Sequence, residues 1–124
     1  MELSNAKRID LERSIVRGLI RHMKAAGFVA YRVNDGGEMV YVKGSEKAAM
    51  EAVFAVDESS LRFIPVSASA LRGSLKANYE HGVLLIGGNG CDIISDWNYT
   101  DGDADGFNKA MDAYCDVLNA RELS

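Results

Sequence analysis

Histidine, cysteine and proline are scarce in this chain, and each shortage narrows the field of functions. Two histidines, His22 and His81, and two cysteines, Cys91 and Cys115, stand among 124 residues. Their spacing matches no zinc site. Both thiols read as buried free cysteines in a reducing compartment. A long hydrophobic run is missing too, since no apolar stretch approaches the ~20 residues needed to span a bilayer. The opening stretch "MELSNAKRIDLERS" is charged from its start and lacks the apolar core of a secretory signal. These absences point to a cytoplasmic protein with no membrane partner. The only proline, Pro65, lies in "LRFIPV" (61–66), and because proline cannot donate to a ladder it predicts a strand at a sheet edge.

What remains is an ordinary globular composition: 48% hydrophobic and 26% charged, too apolar for a disordered chain. Residues 1–124 form a single domain by length, large enough to bury a core. The charge is polarised. Residues 1–25 carry six basic and three acidic side chains, whereas residues 91–124 carry two basic and eight acidic. Such a chain can neutralise itself in the fold, pair head to tail with a copy, or offer two unlike surfaces.

Periodicity supplies the elements. Leu11, Ile15, Leu19 and Met23 recur every four residues, widened by Val16 and Ile20, so 6–26 reads as a helix that Gly27 ends. "FVAYRVNDGGEMVYVKG" reads as a β-hairpin turning at "NDGG". "SEKAAMEAVFAV" (45–56) is a second helix with Ser45 as N-cap and Ala49, Met50, Val53 and Phe54 facing the core. "SASALRGSLKANYEHG" (67–82) has no clear period and reads as irregular. "VLLIGGNGCDIISDW" is a second hairpin, turning at Asn89-Gly90 and holding a buried central strand over Val83–Ile86. A last helix over about 104–120 aligns Phe107, Met111, Tyr114 and Leu118. The order α-β-β-α-β-β-β-α predicts an α+β two-layer sandwich. It would hold a mainly antiparallel sheet of about five strands, with about three helices on one face.

Five constellations could carry chemistry. Asp101, Asp103, Asp105 and Asp112 occupy positions 1, 3, 5 and 12 of a calcium-loop pattern, with Gly106 at the turn. Asn108 and Lys109 fit that pattern poorly, and Phe107 belongs in register with the last helix. A helix start with Asp103 or Asp105 as N-cap is the stronger reading, with calcium as its alternative. "IGGNGCD" resembles a phosphate loop only in its glycines, because a strand rather than a helix follows. Cys91 with His81 would make a nucleophile and base, and Asp92 with Asp96 an acid–base pair, yet neither assembles an orienting group or an oxyanion site. Arg13, Arg17 and Arg21 form an i,i+4 stripe with Lys24 on the first helix, and like charges at that spacing repel. A solvated face, neutralised by the chain's own acidic last helix, accounts for the stripe more simply than a partner does. If it has a partner, that is an acidic protein surface or a second copy. Nucleic acid fits less well, since the chain is acidic and the stripe lacks interleaved aromatics.

The segment "IGGNGCDIISDWNYTD" resembles a run in small uncharacterised proteins of bacterial plasmids and phages, where a glycine–asparagine turn precedes an I-S-D-[WY] strand. The resemblance implies a bacterial or phage cytoplasm, where small domains act by binding another protein. It assigns no catalytic or binding residue. The residues therefore favour a non-enzymatic interaction module without cofactor, using Arg13, Arg17, Arg21 and Lys24 and with the 67–82 loop as a second surface. A calcium-binding domain ranks second and a Cys/His enzyme third.

Overall fold

The computed structural model describes residues 5–35, 37–65, 81–88, 93–98 and 104–123. Among the described residues, three helices and five strands follow in the predicted order: α1 (Asn5–Ala25), β1 (Phe28–Asn34), β2 (Met39–Tyr41), α2 (Glu46–Val53), β3 (Glu58–Pro65), β4 (His81–Ile86), β5 (Ile94–Asn98) and α3 (Ala104–Leu123). The strands form one antiparallel sheet in the order β2-β1-β3-β4-β5.

Local chemistry sets the boundaries. α1 stops where Gly27 takes φ +98°, a conformation that costs glycine nothing. Ser45 caps α2, its Oγ accepting from the Ala48 N–H at 3.1 Å. In the first hairpin Asp35 holds the turn, for its Oδ1 accepts from the N–H groups of Gly37 (3.1 Å) and Glu38 (2.7 Å). Those bonds to the ionised form hold the Asp35 carboxyl below its usual range.

One buried cluster joins all three helices to one face of the sheet. Ile15, Val16, Leu19, Ile20 and Met23 of α1 meet Phe28, Ala30 and Val33 of β1, Leu61 and Phe63 of β3, and Val83 and Leu85 of β4. From α3, Phe107 stacks on the His81 ring (centroids 4.7 Å apart) and meets Phe28 edge-on at 5.4 Å. α1 lies between the other two helices and packs against both. Across α1 and α3 the Tyr114 hydroxyl donates to the Ile15 carbonyl at 2.6 Å. His22 Nε2 lies 3.0 Å from the Ala110 carbonyl and can donate to it only as the Nε2–H tautomer.

Two expectations need correction. β3 is not an edge strand, because it pairs with β1 on one side and β4 on the other. Pro65 is the last described residue of β3, opposite Phe28, so the N–H it lacks falls at the end of the described ladder and not in its interior. The segment expected to be irregular to residue 82 gives way to β4 at His81, whose partner is Phe63. The remainder of that segment lies outside the described residues.

Candidate functional site

The arginine stripe lies along the flank of α1 that faces α2. Arg13, Arg17 and Arg21 are all exposed, and the space between the helices is an open groove of about 510 Å³. Arg13 and Arg17 line it from α1, while Lys47, Met50, Glu51 and Phe54 line it from α2 and its end. Met50 is buried and Phe54 half-buried, so the floor is apolar and the rims are charged. The Arg13 guanidinium sits 5.3 Å from the centroid of the Phe54 ring, a cation–π contact that leaves its N–H groups at the groove mouth.

Arg21 has a different role. Its Nε donates to Glu46 Oε1 at 2.7 Å and its Nη2 to Oε2 at 3.2 Å, a two-point pair between α1 and the first turn of α2. Each partner stabilises the other's charge: the Glu46 carboxyl is held below its usual range, chiefly by the Arg21 hydrogen bond, and the Arg21 guanidinium is raised. Arg17 and Lys24 also act on Glu46 through space. The stripe is thus relieved in part by Glu46 of α2, and among the described residues none of its arginines forms an ion pair with the acidic last helix. Among the described residues no carboxylate forms an ion pair with Arg13, Arg17 or Lys47.

The other candidates lie partly outside the described residues. Asp101 and Asp103 lie outside the described residues, whereas Asp105 and Asp112 both belong to α3, which begins at Ala104. Phe107, whose carbonyl would be a calcium ligand, is helical and its side chain is fully buried. Most of the twelve-residue window is therefore helix start. No group of three or more metal-ligating side chains gathers among the described residues. The melting temperature is expected to be the same in EDTA and in millimolar calcium. An ion bound only to the folded state at ~100 times its Kd would add about 2.7 kcal/mol, a shift of several degrees. A calcium-selective rise, absent with magnesium, would establish the aspartates as a metal site.

His81 is 0% exposed, enclosed by Phe28 and Phe107, while Cys91 and Asp92 lie outside the described residues. Asp96 is exposed, and its Oδ1 accepts from the Trp97 N–H at 2.8 Å.

Two contacts escaped the sequence reading. Glu12 is 3% exposed, and its Oε2 accepts from the Gly88 N–H at 2.8 Å, fastening α1 to the turn after β4. The signal was an acid inside the apolar stripe at 12, 16, 19, 20 and 23. Asn108, read only as a poor calcium ligand, accepts the Trp97 indole N–H at 2.9 Å and ties β5 to α3.

No protein-family model, curated protein or solved structure matches this chain. The α1–α2 groove is consequently judged on its chemistry alone. It offers cations around an apolar floor, an arrangement suited to carboxylate-bearing peptide. No helix among the described residues is long and apolar enough to cross a membrane.

Proposed function

We propose that this protein is a small, non-enzymatic cytoplasmic interaction module that captures an acidic segment of another protein, or of a second copy, in the groove between α1 and α2. The observation that supports this most is the division of labour along the stripe. Arg21 is engaged by Glu46, whereas Arg13, Arg17 and Lys47 surround Met50 and Phe54 with no carboxylate paired to them among the described residues. Maintaining like charges at i,i+4 spacing costs a few tenths of a kcal/mol per pair. An acidic ligand would return that cost and cover the apolar floor. Duplex nucleic acid suits the groove less well, because Glu46 and Glu51 also line it and would meet the dense phosphate charge.

A fluorescent amphipathic peptide with glutamates at i,i+4 spacing, beside leucines, provides the test. It is expected to bind in low salt and to release as the Debye length falls to ~3 Å at 1 M salt. The same peptide with lysines is expected not to bind. Arg13→Glu with Arg17→Glu should weaken binding at least tenfold while the far-ultraviolet circular dichroism stays unchanged. Equal binding by this double variant would remove the groove as the site. Arg21 is deliberately left in place, since replacing it by glutamate would set two carboxylates together and confound the fold with the surface.

A further inference from the structure

The groove's chemistry does not by itself say whose acidic segment enters, but the outer face of α3 supplies a specific complement. α1 packs against α2 on one flank and α3 on the other, so the groove and the exposed face of α3 are parts of two different flanks. Asp112 and Asp116 are exposed on α3, four residues apart and so on one face of the helix. Their negative field is felt locally: the Cys115 thiol is pushed up first by burial and then by Asp112 and Asp116.

Arg13 and Arg17 have the same four-residue spacing on their own helix. Four residues are ~6 Å of helix rise, so two carboxylates on one α-helix match two guanidiniums on another in a single alignment. The separate flanks leave each groove to be filled by the α3 of a different molecule.

Resting on the reading of the groove as an acidic-segment site, we infer that its occupant is the Asp112 and Asp116 face of α3 from a second copy of this chain. The contact is head to tail. A heterologous interface of this kind leaves one groove and one α3 face open at the ends, so it grows into rings or filaments rather than stopping at a symmetric dimer.

Sedimentation velocity of the full chain from micromolar to millimolar concentration tests this. The wild-type average mass is expected to rise with concentration in low salt and to return toward 13.5 kDa in ~0.5 M salt. Arg13→Glu with Arg17→Glu, and separately Asp112→Lys with Asp116→Lys, should each sediment as monomers. Mixed in equal amounts, the two variants should recover association, because the aspartates of the first meet the arginines of the second and the reversed charges of each also complement the other's. Their recovery of association also shows that both are folded. A wild type that stays monomeric throughout would overturn the inference, as would variants that associate like the wild type. The glutamate peptide separates the two levels of the claim. Peptide binding by a monomeric wild type leaves the groove standing and removes only the second copy, whereas loss of both removes the groove itself.

Discussion

Gly18→Ala is expected to destabilise this protein, although in an isolated helix the same change would help by roughly 1 kcal/mol. Gly18 faces α3, and a Cβ built on it would lie 2.5 Å from the Tyr114 Oη and 3.4 Å from Cζ. The tip of the ring is the obstacle, and it has little freedom to yield. Tyr114 is 4% exposed, its ring lies against His22 with centroids 5.2 Å apart, and its hydroxyl donates to the Ile15 carbonyl. Moving the ring breaks that bond and strands a buried hydroxyl, at a cost of about 1–3 kcal/mol. Overpacking adds about 1–3 kcal/mol. After the helix-propensity gain of about 1 kcal/mol is subtracted, a net loss of roughly 1–5 kcal/mol remains, or on the order of 4–20 °C in melting temperature.

The cause can be isolated. Tyr114→Phe removes the atom that the new methyl would strike. Alone it should cost about 1 kcal/mol for the lost hydrogen bond. Combined with Gly18→Ala it should cost clearly less than the sum of the two single changes, because ring and methyl then come to ordinary contact. Strict additivity in denaturant melts would show that Gly18 matters for some reason other than its approach to Tyr114.

The contrast between Gly18 and the rest of α1 shows what a sequence can carry. The repeat of Ile15, Leu19 and Met23 is a local property of one helix, and so are the Gly27 stop and the Ser45 cap; all three are legible because their physics is complete within a few residues. The five-stranded antiparallel sheet and its helical partners were legible for the same reason, element by element. Strand order was not, since a strand's position depends on partners far along the chain. Pro65 misled because its missing N–H excludes only interior pairing, and a strand's last residue is free of that demand. Gly18 reads as a weak point in a helix until Tyr114, 96 positions later, is set against it. At the groove, the cations were visible as a stripe. The acidic C-terminal stretch holds the most carboxylates in the count, yet the ion pair that forms on the stripe among the described residues is Arg21 with Glu46. Net charge says how much there is to neutralise, whereas packing decides which carboxylate does it.

Glu12 presents the same long-range dependence as a carboxylate buried where a hydrocarbon would be expected. Glu12→Ala is expected to lower stability by about 1–3 kcal/mol, because it leaves the Gly88 N–H and a neighbouring guanidinium without their carboxylate. Three features set the size. The Gly88 N–H loses its 2.8 Å acceptor at a residue held at φ +96°, where the turn has few other ways to settle. Arg8 Nε, buried and 3.9 Å from Glu12 Oε1, loses its nearest carboxylate. The vacated volume adds a cavity between α1 and the turn. Glu12→Gln separates these contributions. It keeps an acceptor and nearly the same shape but removes the charge, so it should cost less than half as much as alanine. Hydrogen exchange would locate the damage. In Glu12→Ala the amide of Gly88 should lose protection well before the amides of β3, since the turn opens as a local unit while the central strand waits for global unfolding. Uniform loss across both would mean that Glu12 supports the whole core and not the turn it touches.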